Sequence, residues 1–314
     1  MFVFVHLPKT AGTSFRKSLG KYYGESYIAK DYGPHLQETD VDIKKKLHAE
    51  DDPYSAVLNV ENKGSKFIVG HFKASRYAFQ IPISNFVTIL RDPIQRFYSE
   101  YNHRSNRDFD RFTGTIEDYC QEERFCNIQS KMLAGVAWPA FGCVGLTEEY
   151  NKSMYLINSE LSVELEYMEV NKRRGNIDKG YDLSPAQLEL ISKCNKGDIE
   201  LYNAAVDYFN QRISLTDEHS FVRGRIEFIK DNIVSGYAIP AEDNSPAIVV
   251  EILANGIVIG EAIAKRHRKY LALLSVSRKG YVGFEFKLGD LPEKSVISAR
   301  VKDTHQYLAY TIET

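Results

Sequence analysis

Phe2-Val3-Phe4-Val5-His6-Leu7-Pro8-Lys9-Thr10-Ala11-Gly12-Thr13-Ser14-Phe15 places a strand, a turn and a helix in immediate succession. Residues 2–7 are a short apolar run rich in aromatic and β-branched side chains, as in a strand buried on both faces of a parallel sheet. From about Thr13 to Tyr23, Phe15, Leu19 and Tyr22 or Tyr23 fall at helical spacing. The turn between them carries a lysine, a glycine and hydroxyl residues. The first N–H groups of a helix have no partner inside it, and the helix dipole is positive at that end. The arrangement predicts a phosphate or sulfate site, with Lys9 and the Thr10, Thr13 and Ser14 hydroxyls as added donors. A plain turn with a capping hydroxyl is the alternative. The order is not that of the nucleoside triphosphate loop G-x-x-x-x-G-K-[ST], because Lys9 precedes Gly12.

Two further apolar runs lie downstream. One is Phe67-Ile68-Val69 within residues 66–70, the other Phe86-Val87-Thr88-Ile89-Leu90. The second leads into Arg91-Asp92-Pro93 and a helical pattern of Ile94, Phe97, Tyr98 and Tyr101, with Pro93 suited to a first turn. Strands alternating with helices predict an α/β domain, a P-loop-like parallel sheet flanked by helices. Residues from about 115 to 210 read as mainly helical. Ser184 is the expected N-cap of one helix, Gln187 completes its capping box, and residues 200–209 form another amphipathic helix.

The pattern changes near residue 215. Strand-like runs follow at 225–229, 234–239, 248–253, 257–259, 281–288, 296–302 and 306–312, and Asn255-Gly256 is a strong hairpin signal. Short strands separated by turns predict a β-sandwich. The expected organisation is an α/β domain over residues 1–215 and a smaller all-β domain over 220–314.

The 314 residues carry a formal net charge of -2, so affinity for a polyanion has to come from local patches, and no nucleic-acid partner is expected. No apolar run reaches the length of about 18 residues that a membrane span needs, so no membrane insertion is expected. Residues 1–7 lack the basic start and apolar length of a signal peptide, which points to a cytoplasmic protein. The cysteines Cys120, Cys126, Cys143 and Cys194 form no C-x-x-C pair and read as reduced, partly buried thiols.

Pro8-Lys9-Thr10-Ala11-Gly12-Thr13-Ser14 resembles the 5′-phosphosulfate loop of the Golgi-type carbohydrate sulfotransferases, close to the heparan sulfate 2-O-sulfotransferase branch. Arg91-Asp92-Pro93-Ile94-Gln95-Arg96 followed by Ser99 resembles the 3′-phosphate motif of the same family. The likeness covers roughly residues 1–212. It implies 3′-phosphoadenosine 5′-phosphosulfate (PAPS) as sulfuryl donor and adenosine 3′,5′-bisphosphate as product. Lys9, Thr10, Ala11, Gly12, Thr13 and Ser14 would hold the 5′ end, and Arg91 and Ser99 would grip the 3′-phosphate. An arginine fork and a serine hydroxyl suit that phosphate chemically. Softer matches are Asn127-x-Gln129, Leu133-Ala134-Gly135, residues 144–148 and Asp198-x-Glu200-Leu201-Tyr202. Asn171-Lys172-Arg173-Arg174-Gly175 lies where the family folds a loop over the nucleotide, with a solvated basic turn as the alternative.

Related enzymes place a catalytic histidine after the strand corresponding to Phe67-Ile68-Val69, which here is His71. A neutral imidazole at a strand's C-terminal end can take a proton from an acceptor hydroxyl. His35 and His103 are substitutes for that role, and His6 reads as structural. The implied chemistry is in-line displacement at sulfur, with Lys9 and the loop amides stabilising the leaving phosphate oxygen. No metal-binding motif is present in the sequence, and none is expected.

The segment from Gly224 to about Ala309 resembles a β-sandwich module found beside bacterial carbohydrate-modifying domains. Lys265-Arg266-His267-Arg268-Lys269 is a basic run that reads as a solvated loop or as a hold on an acidic polysaccharide. A carbohydrate acceptor in a bacterial surface-glycan pathway is the expected partner. Two rivals are an ATP-dependent small-molecule kinase, which would need a Walker loop, and a non-catalytic glycan-binding protein that keeps a nucleotide fold.

Overall fold

The computed structural model describes residues 1–107, 111–168, 181–215 and 220–314. The chain forms two compact units. One comprises Met1–Gln80, Asn85–Val136 and Cys143–Asn203, the other Ile81–Ser84, Ala137–Gly142 and Ala204–Thr314.

The first unit is built on a five-stranded sheet. Its elements are β1 (Phe2–Val5), α1 (Gly12–Tyr23), β2 (Ile28–Asp31), α2 (Pro53–Asn62), β3 (Phe67–Gly70), β4 (Phe86–Leu90), α3 (Pro93–Ser105), α4 (Ile116–Gln121), α5 (Ile128–Leu133), β5 (Cys143–Leu146), α6 (Tyr150–Leu161), α7 (Pro185–Cys194) and α8 (Lys196–Leu215), the last continuing into the second unit. The strand order is β2-β3-β1-β4-β5 and every pairing is parallel. Central β1 therefore has β3 on one side and β4 on the other, with Val5 level with Gly70 and with Thr88. The segments leaving β1, β3 and β4 open on one edge of the sheet. That edge, at the C-terminal ends of the strands, is where open α/β sheets bind ligands.

Burial explains why these runs are strands: β3, β4 and β5 are buried at every residue, as expected where helices cover both faces. Phe15 and Leu19 on α1 are fully buried, and Phe15 meets Phe4 of β1 edge to face. The capping box at Ser184 and Gln187 is present at the start of α7. Pro93 occupies the first turn of α3, where the Asp92 side chain accepts from the Gln95 N–H.

Two strands depart from the sequence reading. β5 lies inside the stretch expected to be mainly helical, and β2 was not expected. Neither carries an unbroken aromatic or β-branched run: β2 holds Lys30 and Asp31, and β5 is interrupted by Gly145. The cysteines also hold a surprise. Cys120 and Cys126 share one helical core with Phe97, Tyr119 and Ile191, and Cys194, distant in sequence, packs against the same core.

The second unit holds two four-stranded antiparallel sheets. Its elements are β6 (Arg223–Lys230), β7 (Ile233–Ile239), β8 (Val249–Ala254), β9 (Ile257–Ile263), β10 (Arg266–His267), α9 (Lys269–Leu273), β11 (Tyr281–Lys287), β12 (Val296–Val301) and β13 (Ile312–Glu313). One sheet runs β10-β11-β7-β6 and the other β13-β12-β8-β9. Ile226, Val234 and Phe284 from the first meet Val250, Ile252 and Ala299 from the second in one apolar core. Asn255 and Gly256 both have positive φ, the requirement of the tight hairpin that joins β8 to β9. The strand expected over 306–312 shrinks to isolated bridges and the two residues of β13, because His305 and Tyr310 take positive φ and break the extended run.

Candidate active site

The turn after β1 is shaped by its backbone. Lys9 and Ala11 have φ of 68° and 62°, while Thr10 between them does not have positive φ. Alternation of this kind turns successive N–H groups toward one concavity, which suits an anion. Ala11 is the N-cap of α1 and offers no side-chain cap; the Ser14 N–H donates to the Ala11 carbonyl at 2.9 Å, which leaves the Gly12 and Thr13 amides to be satisfied from outside. Gly12 is required by a neighbour, since a Cβ there would collide with the His6 ring. The hydroxyls divide the work. Thr10 Oγ1 donates to the Leu7 carbonyl at 2.9 Å, so it ties the turn together and leaves its N–H for a ligand. Thr13 has no hydrogen-bond partner among the described residues and Ser14 is buried.

The Lys9 ammonium makes no ion pair among the described residues. Burial lowers its pKa, the carboxylate of Glu100 opposes that shift, and Arg91 and Arg107 add to it. An incoming anion acts in the same sense as Glu100 and restores the charge.

Arg91 leaves the end of β4, next to β1, and its Nη1 donates to the Lys9 carbonyl at 3.2 Å. The two anion motifs of the sequence are thus in direct contact. The Arg91 backbone is clamped by fully buried Gln129, whose Oε1 accepts from the Arg91 N–H at 3.0 Å and whose Nε2 donates to its carbonyl at 2.9 Å. Gln129 is held in turn by Asp198, which accepts from the N–H groups of Gln129 and Ser130. Asn127 Oδ1 accepts from the Asp198 N–H, and Glu148 joins the Asp92 N–H to the Tyr202 hydroxyl. The softer sequence matches therefore form a scaffold that fixes where Arg91 points. Ser99 lies about two helical turns along α3. It is buried, with no hydrogen-bond partner for its hydroxyl among the described residues.

His71 follows β3 directly. Its Nδ1 lies 2.5 Å from the carbonyl of His6. A carbonyl only accepts, so Nδ1 carries the hydrogen and Nε2 is left as the basic nitrogen. The two imidazoles lie 4.4 Å apart, and Tyr32 meets the His71 ring edge to face at 4.9 Å. Burial lowers the His71 pKa, and the bond to His6 and the charges of Glu100 and Glu38 partly offset it. The residue still reaches solvent, which tempers the desolvation. The outcome is an imidazole neutral at pH 7, the state a proton acceptor needs.

Glu100, on the helix that carries Ser99, was not read from the sequence. It is buried, accepts from Arg104 Nε at 2.8 Å, and its charge is felt by Lys9, His71 and His103. A carboxylate two helical turns after Arg-Asp-Pro has no signature in a single sequence. Of the alternative histidines, His103 is exposed on α3, with its pKa lowered by burial and then by Lys9 and Arg107. His35 is exposed in the segment after β2. The segment Asn171–Gly175 lies outside the described residues. Among the described residues, no group of three or more His, Cys, Asp or Glu is placed to hold a metal ion, and no helix is long and apolar enough to cross a membrane.

In the second unit Arg268 of the basic run is engaged internally, whereas Lys265, Arg266, His267 and Lys269 are exposed. Arg268 lies within 3.6 Å of Glu227 and 3.3 Å of Glu285, and it donates to the carbonyls of Gly236 and Phe284. Arg266 pairs with Glu285 at 3.1 Å, and His267 packs on Tyr281. This favours a structural part for the two arginines over a hold on polysaccharide.

No curated protein matches the chain at a significant level. A family model does: the one described as Sulfotransferase family spans residues 1–209 and so takes in the Lys9 turn, His71, Arg91 and Ser99. With a matching parallel sheet beneath that span and both anion motifs at its edge, the chain belongs to the sulfotransferase family.

Proposed function

We propose that the protein transfers the sulfuryl group of PAPS to a hydroxyl of a carbohydrate acceptor. The observation that carries this reading is the hydrogen bond from Arg91 to the Lys9 carbonyl. It joins a turn suited to a phosphosulfate to a cation suited to a second phosphate, and a 3′-phosphate is what separates PAPS from ATP. The partnerless hydroxyls of Thr13 and buried Ser99 fit the same donor. The acceptor class rests on the resemblance to carbohydrate sulfotransferases.

PAPS supplies an activated sulfuryl group on a phosphate leaving group. His71 Nε2 takes the proton of the acceptor hydroxyl, and its Nδ1–H, bonded to the His6 carbonyl, stabilises the imidazolium that results. The acceptor oxygen forms its bond to sulfur as the bond from sulfur to the bridging phosphate oxygen breaks. Lys9 and the amides of residues 10–13 neutralise the charge that gathers on that oxygen. Arg91 and Ser99 hold the 3′-phosphate and so fix the reacting end. The products are a sulfate ester and adenosine 3′,5′-bisphosphate.

The test is sulfate transfer from labelled PAPS to a panel of glycans, together with binding of adenosine 3′,5′-bisphosphate and ATP. Transfer to at least one glycan and preference for the bisphosphate are expected. Phosphoryl transfer from ATP would replace this reading with the kinase, and glycan binding without transfer would replace it with a non-catalytic binder.

A further inference from the structure

His6 lies against His71, Gly12 and Tyr32. Its carbonyl fixes His71, its ring fills the space over Gly12, and its Nδ1 lies 3.2 Å from the Tyr32 hydroxyl. It is only 6% exposed, yet its Nε2 has no hydrogen-bond partner among the described residues. The ring edge bearing Cδ2 and Nε2 is the edge that lies against Gly12, the first residue of α1. Nε2 is not sealed from solvent, so a ligand entering the turn can reach it.

We propose that Tyr32 donates its hydroxyl hydrogen to His6 Nδ1, holding His6 as the Nε2–H tautomer, and that this N–H is a neutral donor to an oxygen of the anion bound in the Lys9 turn. The opposite arrangement, with Nδ1–H donating to Tyr32, leaves the tyrosine hydrogen without an acceptor among the described residues. It also sets a lone pair against the oxygens of an anion bound in the turn. Burial pushes the Tyr32 hydroxyl up to about 12, so it keeps its hydrogen at any working pH. Burial, with the neighbouring His71 and Arg16, lowers the His6 pKa well below the ordinary value, so the ring is neutral. A neutral donor suits a site where Lys9 already provides the charge.

This assignment rests on the reading that the turn holds the phosphosulfate end of PAPS, but its test does not depend on turnover. In protein carrying nitrogen-15 histidine, the His6 resonances should show the Nε2–H tautomer, and adenosine 3′,5′-bisphosphate or inorganic pyrophosphate should shift that proton. An Nδ1–H pattern, or a proton that neither anion moves, overturns the proposal whether or not transfer is observed. In kinetics with PAPS, His6→Phe should lower kcat/KM by about 10- to 100-fold. His6→Gln, with a donor near the Nε2 position, should recover most of that loss, and His6→Asn, with its donor near Nδ1, should not. Equal losses for Gln and Asn would make His6 a packing residue and overturn the proposal. Tyr32→Phe should cost about 3- to 10-fold in kcat/KM and leave a mixture of tautomers in the spectrum; an unchanged spectrum would remove Tyr32 from the assignment. Absence of sulfuryl transfer by the wild type would end the functional reading while the spectra still decided this one.

Discussion

The Lys9 turn with Arg91, and the run Lys265-Arg266-His267-Arg268-Lys269, are the two basic features most visible in this sequence, and the fold treats them in opposite ways. Around Lys9 polar groups are left open: among the described residues the ammonium has no ion pair and the Thr13 and Ser99 hydroxyls have no partner, and the backbone alternates through positive φ at Lys9 and Ala11. Around Arg268, Glu227, Glu285 and two carbonyls take up the guanidinium, leaving its Nε without a hydrogen-bond partner among the described residues. A count of lysines and arginines ranks the second stretch higher. What sets the first region apart is that its unpartnered groups gather around one turn whose backbone is itself bent.

The contrast can be broken by substitution. His71→Ala should lower kcat by about 10²- to 10⁴-fold with nucleotide affinity nearly intact; full activity would move the base elsewhere, first to His35. Lys9→Ala should cost about 10²- to 10³-fold in kcat, measured at saturating PAPS, because one stabilising donor at the leaving oxygen is lost. Arg268→Ala should leave kinetics unchanged while thermal or denaturant unfolding of the second unit loses about 1–3 kcal/mol, since Glu227 and Glu285 lose a partner. A kinetic defect without a stability change would reverse the roles assigned to the two regions. Ser99→Ala should weaken adenosine 3′,5′-bisphosphate by about 3- to 10-fold in calorimetric titration and leave adenosine 5′-monophosphate unaffected.

A pH profile sharpens the same contrast. Protonated His71 cannot accept a proton, so kcat/KM should fall on the acid side. Because the folded pKa is lowered, mainly by burial, that fall should centre below the ordinary histidine value of about 6.5. An acid limb centred above that value would mean that a different group titrates.

Much of this fold was legible from residues alone. β1, β3 and β4 are built on unbroken runs of largely aromatic and β-branched residues, and Asn255-Gly256 marks its hairpin without help. β2, which carries Lys30 and Asp31, and β5, interrupted by Gly145, were not legible, because pairing in the sheet rather than an unbroken apolar run defines them. In the site, residue types and order pointed to Lys9, Arg91, Ser99 and His71. They did not show what holds those residues in place. Gln129, Asp198 and Glu148 act through single hydrogen bonds to backbone groups distant in sequence, which leave no periodic trace. His6 looked like one more strand residue, and only the meeting of β1 with β3 brings its carbonyl to His71.

The central claim is that the Lys9 turn and Arg91 grip one nucleotide at two phosphates. Calorimetric titration of wild type and Arg91→Ala with adenosine 3′,5′-bisphosphate and with adenosine 5′-monophosphate tests it most directly. The wild type should prefer the bisphosphate by about 10- to 100-fold, and Arg91→Ala should lose that preference while keeping its affinity for the monophosphate. An equal preference in both proteins would contradict the account.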